Sequence, residues 1–186
     1  ALRILFFPPG WKEGSAQKQV RQWFQNYLGD GEFAFFNSGR SALLALLQAF
    51  GIGAGDEVLV QAFTCVAVPN SVLWVGAKPV YVDIGANYNL DAADAEKKIT
   101  KRTRAIVVQH TFGIPAQVNT LLALAKRHKL IFIEDCAHAL GATYKGKKLG
   151  TFGDAAFFSF GRDKVVSSVW GGAAYIKYQI SNIKKN

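Results

Sequence analysis

Three clusters of residues carry groups able to do chemistry: Asn37-Ser38-Gly39-Arg40-Ser41, Asp135 with His138, and Lys164 in the hydroxyl-rich segment from Ser159 to Ser168. A glycine turn opening a helix presents unpaired backbone N–H groups and the positive end of the dipole, which together hold a phosphate. Taken alone, the same residues read as a serine N-cap. The segment matches neither GxGxxG nor GxxxxGK[ST], so neither a dinucleotide fingerprint nor a P-loop is supported. Asp135 closes the apolar run from Leu130, where a carboxylate either caps a turn or faces a cation, a metal or a protonated ring nitrogen. Metal is the poorer choice, because no second acid or histidine pair at ligand spacing accompanies it. His138, three residues on, is by itself more often a hydrogen-bonded structural histidine than a catalyst. Lys164 follows an apolar strand and precedes Val165-Val166. Partial burial and the nearby Arg162 would lower its pKa and free the amine for nucleophilic attack, while Asp163 opposes this. A lone lysine there would simply be solvated.

Taken together, a phosphate cradle, a strand-end Asp and a lysine in a Ser-rich loop are the set that pyridoxal phosphate needs. The elements around them must then bring all three to one place. Amphipathic stretches at Glu13–Leu28, Arg40–Phe50, Pro69–Val75, Asp91–Ile99 and Val118–His128 read as helices. Between them, Phe33–Phe36, Glu57–Ala62, Pro79–Val82, Ala105–Gln109 and Leu130–Glu134 read as strands. The alternation predicts an α/β fold: three layers, α/β/α, around a mostly parallel, mixed sheet with both faces covered. Strands at Ala155–Phe160 and Gly172–Lys177 are expected to follow the parallel core as a hairpin or mixed-sheet element. In such a sheet, ligands sit beyond the carboxyl ends of the strands, where all three clusters fall.

Composition narrows the field. Half of the 186 residues are hydrophobic and 19% are charged, which excludes disorder as the main state. The formal charge of +9 suits anionic partners without choosing among them. Cys65 and Cys136 stand apart in apolar sequence, so reduced thiols are expected rather than a zinc site or disulfide framework. Val58–Ala77 has no charged residue, but Gln61, Pro69, Asn70 and Ser71 interrupt it, so a buried strand, turn and helix fit better than a membrane span. The basic run from Lys97 to Arg104 lacks interleaved aromatics, and we expect a solvated helix end rather than a nucleic-acid site. The chain contains no methionine, even at position 1, so it is not expected to begin at an intact start.

From Phe36 to Gly172 the sequence resembles the DegT/StrS-type sugar aminotransferases, which are fold-type I pyridoxal-phosphate enzymes. The motifs, in order, are Asn37–Leu43, Gly55-Asp56-Glu57-Val58, Gly76-Ala77-Lys78-Pro79-Val80 with Val82-Asp83, and His110-Thr111-Phe112-Gly113. Ile133-Glu134-Asp135-Cys136-Ala137-His138-Ala139-Leu140-Gly141, Lys147–Gly150, Gly153-Asp154 and Phe158-Ser159-Phe160 through Lys164 complete them. The resemblance implies that Lys164 forms the Schiff base and shuttles the proton, and that Asp135 pairs with the pyridinium nitrogen. It places His138 near the phenolic oxygen of the ring. Ser38, Gly39, Arg40 and Ser159 would hold the phosphate, with Thr64 and Cys65 beside the ring. It further implies transfer of an amino group, usually from glutamate, to a keto-sugar that is nucleotide-linked, by a cytoplasmic homodimer. A related branch dehydrates sugars with histidine in place of the lysine; Lys164 favours transamination.

Two residues depart from the pattern. Cys65 stands where an aromatic residue commonly stacks on the ring, so that either Phe63 compensates or affinity falls, and Gly39-Arg40 replaces Gly-Thr, so that arginine offers a charged bidentate donor. The chain is also about half the usual length. Residues 1–186 are therefore expected to be part of the large domain, without the C-terminal small domain, and an incomplete domain that binds without turnover is the alternative.

Overall fold

Strands form where Val, Ile, Phe and Ala crowd into short runs, and helices where apolar residues return every three or four positions. The computed structural model describes residues 15–177, and the chain divides into two units, Ala1–Asp30 and Gly31–Asn186. In the first, α1 (Ser15–Leu28) occupies the expected helical segment, whose first two residues, Glu13 and Gly14, lie outside the described residues, with Trp23 stacked on Tyr27 at 4.8 Å between ring centroids. Gly29, at φ +92°, ends it.

The second unit runs β1 (Glu32–Phe36), α2 (Gly39–Ala49), β2 (Glu57–Gln61), α3 (Ala67–Trp74), β3 (Lys78–Val82), α4 (Ala92–Lys98) and β4 (Thr103–Gln109). It continues with α5 (Val118–His128), β5 (Ile131–Asp135), a small hairpin of β6 (Thr143–Tyr144) and β7 (Lys147–Lys148), β8 (Ala155–Ser159) and β9 (Gly172–Ile176). Seven strands make one sheet in the order β1-β9-β8-β5-β4-β2-β3. β8, β5, β4, β2 and β3 are parallel; β9 is antiparallel to both neighbours, so β1 points the same way as the parallel set.

One face of the sheet is covered by α2 and α3 through Leu43, Leu46, Leu47, Val68 and Val72, which meet Val58, Val60, Val107, Ile133 and Phe157. The other is covered by α4 and α5 through Ala95, Leu121 and Leu124, which meet Leu59, Ile106, Val108 and Phe132. This is the three-layer α/β fold expected from the sequence. α3 begins two residues before the expected Pro69, which sits in its first turn, where a missing N–H breaks no helical bond. The β6–β7 hairpin was not anticipated, because two-residue strands carry no periodicity.

Val58–Ala77 folds as most of β2, all of α3 and their connections, and among the described residues no helix is long and apolar enough to cross a membrane. The basic run is the end of α4, a turn and the start of β4, with Lys98 bound to Asp94 and Arg102 to Glu57, each at 2.7 Å. For the site, direction matters most. β1, β2, β3, β4, β5 and β8 all finish at one edge, and the chain leaves β2 outward to β3 before returning on its other side as β4. Such a reversal is where open α/β sheets bind ligands.

Candidate active site

The turn after β1 is built to expose backbone. Ser38 is the N-cap of α2, its Oγ accepting the Ser41 N–H at 3.1 Å, and Ser41 Oγ donates to Asn37 Oδ1 at 2.7 Å. The Gly39 and Arg40 N–H groups lie in the first helical turn, where no intrahelical acceptor exists. The end of β8 presses against this turn: a methyl on Gly39 would lie 2.9 Å from Ser159 Cβ and 3.3 Å from Ser159 Oγ. Only glycine lets the two approach. The Arg40 guanidinium, expected from the sequence to face the turn, lies instead over the Trp74 ring at 5.7 Å. What remains at the turn is backbone N–H and the Ser159 hydroxyl.

Asp135 ends β5 in full burial. Its Oδ1 accepts the Ala137 N–H at 2.9 Å, and it has no ion-pair partner among the described residues. Burial pushes its carboxyl up to about 6, against the opposing pull of the Ala137 N–H, His110 and Lys164. Beside it in register lies Gln109, the last residue of β4. Gln109 Oε1 accepts the Thr64 hydroxyl at 2.6 Å, and Nε2 donates to Thr111 Oγ1 at 2.9 Å. Thr64 is thereby tied to the strand next to Asp135. Gln109 escaped the sequence reading, although an amide closing an otherwise apolar strand was a usable signal. Cys65 is exposed next to Thr64, and the half-exposed Phe63 ring stands 6.1 Å from Tyr88 and 6.3 Å from Phe112.

Lys164 reaches the same edge from the loop after β8, with its side chain 15% exposed. Its Nζ donates to Asp163 Oδ2 at 2.7 Å and to His138 Nε2 at 2.9 Å. Burial, then the Lys164 charge, hold His138 below the usual imidazole range, with Asp163 opposing. The far face of His138 stacks on Phe112, centroids 5.9 Å apart and planes within 17°. Phe112 sits at φ +54°, a left-handed conformation uncommon for a bulky residue, and its ring is 66% exposed.

On the opposite face of the sheet, other motif residues form a buried polar knot. Glu134 Oε1 accepts the Phe152 and Gly153 N–H groups at 2.7 and 2.8 Å; Oε2 accepts that of Gly150 at 2.8 Å. His110 Nδ1 accepts the Ala116 N–H, so its Nε2 carries the proton donated to Glu134 Oε2 at 3.1 Å. His110, Glu134 and Cys136 bring potential ligand atoms within 4.8 Å of one another. Both nitrogens and both carboxylate oxygens are already engaged, and burial, with Glu134 and Asp135 adding to it, drives the Cys136 thiol well above its usual range. The cluster locks the β5 end to the loop before β8. Thus the structure gathers Lys164, His138 and Asp135 with Thr64 and the Gly39–Ser159 turn at one edge, while directing Arg40 elsewhere and giving Ser38 a capping role.

Comparison with known proteins adds context. The profile of the DegT/DnrJ/EryC1/StrS aminotransferase family matches residues 9–179. The GDP-perosamine synthase of Caulobacter vibrioides is 46% identical over 150 residues, which cover 80% of this chain and 40% of that protein. An aminotransferase from Psychrobacter cryohalolentis superposes with a TM-score of 0.90 at 34% identity, over 96% of this chain and 46% of that one. NtdA of Bacillus subtilis, solved with bound cofactor PMP, superposes with a TM-score of 0.87 at 29% identity, over 95% and 41%. The chain thus spans less than half the length of these relatives.

Proposed function

This chain belongs to the DegT/DnrJ/EryC1/StrS aminotransferase family, and from that premise we propose that it is the pyridoxal-phosphate-binding part of a sugar aminotransferase. The amino group passes from a donor such as glutamate to a keto-sugar that is nucleotide-linked. A relative named for a GDP-sugar product and a net charge of +9, suited to a diphosphate, support that substrate class. Residues 1–186 are then part of the large domain, and the small domain belongs to the length of the relatives that this chain does not span. A cytoplasmic homodimer, in which a second copy completes the site, is the assembly we propose.

One observation carries the reading: a glycine-only turn, a buried carboxylate with no ion-pair partner among the described residues and a lysine bonded to a histidine meet at one end of the sheet. These residues fit the cofactor. The turn accepts a phosphate through the Gly39 and Arg40 N–H groups and the Ser159 hydroxyl, with Ser38 fixing the helix start. Asp135, raised toward neutrality by burial, gains the cation it lacks when a protonated ring nitrogen faces it. Thr64 and Cys65 border the ring. Bound there, pyridoxal phosphate supplies the electron sink for the carbon that exchanges its amine. Lys164 anchors the cofactor and, once released, moves the proton at that carbon as general acid and base, with His138 at its Nζ. A dehydratase of the same family is disfavoured by Lys164 itself.

The test is to mix the chain with pyridoxal phosphate, reduce with borohydride and map the modified peptide by mass spectrometry. Label is expected on Lys164 and lost in Lys164→Ala, with no other lysine taking over. Label scattered over surface lysines, or none, would overturn this reading and leave a domain that binds without turnover.

A further inference from the structure

Lys164 is held from two sides that differ in kind. His138 comes from the loop after β5, half-buried and backed by the Phe112 ring. Asp163 comes from the loop of Lys164 itself and is 73% exposed; its hydrogen bond from Lys164 holds its carboxyl below the usual range. That loop is fixed by its backbone. The Lys164 N–H bonds the Gly161 carbonyl at 3.1 Å, the Phe160 N–H bonds the Gly171 carbonyl at 2.9 Å, and the Ser168 N–H bonds the Phe160 carbonyl at 3.0 Å. Asp135 faces Lys164 closely enough for their charges to interact, but no hydrogen bond joins them among the described residues. The adjacent cation, Arg162, is directed over Trp170 at 5.9 Å. Asp163 is therefore the carboxylate bonded to this amine.

Resting on the proposed function, we infer that Asp163 is a positioning residue that holds the Lys164 side chain in an ion pair, aimed at His138, whenever the lysine is not covalently engaged. A lysine that is released during turnover needs a defined place to wait, and this pair provides one. Attack on a carbonyl requires the neutral amine. Nζ gives up a proton to His138 Nε2 or to water, its lone pair bonds the carbonyl carbon, and the carbonyl oxygen departs as water. By accepting a hydrogen bond from Nζ, Asp163 holds the amine away from the carbonyl and so sets how readily Lys164 reacts.

The experiment uses a small carbonyl in place of the cofactor. The chain is treated with formaldehyde and cyanoborohydride across a pH series, and methylation of Lys164 relative to the other lysines is read by peptide mass spectrometry. In Asp163→Asn, Lys164 should react about two- to fivefold faster at neutral pH, the range for loss of a partly exposed ion pair. Asp163→Glu should restore the wild-type profile, and Asp163→Ser should match Asn. An unchanged or slower Lys164 in Asp163→Asn, or a Glu variant as fast as Asn, would overturn the inference. Because formaldehyde needs no phosphate cradle, a chain that showed this acceleration yet refused pyridoxal phosphate would sink the proposed function alone.

Discussion

Burial pushes the Asp135 carboxyl from its ordinary 3.8 up to about 6, which makes the residue a burden on the fold until a cation faces it. The sign follows from the two ionisations. The unfolded chain loses this proton near pH 4 and the folded chain near pH 6, so the penalty is absent below about pH 4, grows between, and is complete above, at roughly 3 kcal/mol. Asp135→Asn keeps an oxygen for the Ala137 N–H and should raise the stability of the cofactor-free chain at neutral pH by up to that amount, with no gain at about pH 4. With pyridoxal phosphate present the order should reverse; melting curves at both pH values, with and without it, check this. Phe112→Ala should leave Lys164 in place but loosen His138, and the imidazole pKa, read by NMR, should rise as water reaches the ring. Asp135 and Lys164 were legible because a polar residue closing an apolar strand, or following one, is visible in one dimension. Gln109 beside Asp135 depends on β4–β5 register, and the Phe112–His138 stack on a left-handed turn; neither is written in spacing.

Two glycines show how the elements divide their labour. A methyl on Gly39 would press α2 away from Ser159, whereas one on Gly153 would lie 2.5 Å from the Phe132 carbonyl, where β5 meets the start of β8. Gly39→Ala should cost about 1–3 kcal/mol and weaken inorganic phosphate binding, measured by calorimetry. Gly153→Ala should destabilise at least as much; where enough folded protein remains, it should leave phosphate affinity unchanged. Glu134→Gln places an amide among four donors and should lower stability by about 3 kcal/mol or more, read by chemical denaturation. The helices and the strands of the seven-stranded sheet were legible, to within about two residues, because their apolar periods are long enough to count; the β6–β7 hairpin was not. The role of Glu134 was not, since its partners come from a loop sixteen to nineteen residues away and from His110, just past the end of β4. Arg40 shows the converse: its charge suited a phosphate, but a ring on the neighbouring helix claims it.

At the scale of the molecule, Trp170, Phe112, Val66 and Trp74 are each more than half exposed, apolar surface that an association could cover. The proposed homodimer predicts concentration-dependent association in light scattering, and a monodisperse monomer at all concentrations would count against it. The sheet order carries a consequence for synthesis. β9, made after the other six strands of its sheet, is not an edge strand; it lies between β1 and β8 and packs against α2. On the ribosome, at about 5–20 residues per second, β1 and the outer edge of β8 must wait unpaired until Gly172–Ile176 emerges. α2 lacks its seat for the same interval. The nascent chain therefore carries two open sheet edges, the kind that recruit other strands, and the close approach of the Ser38-Gly39 turn to Ser159 and Gly172 is completed only after translation has passed Lys164.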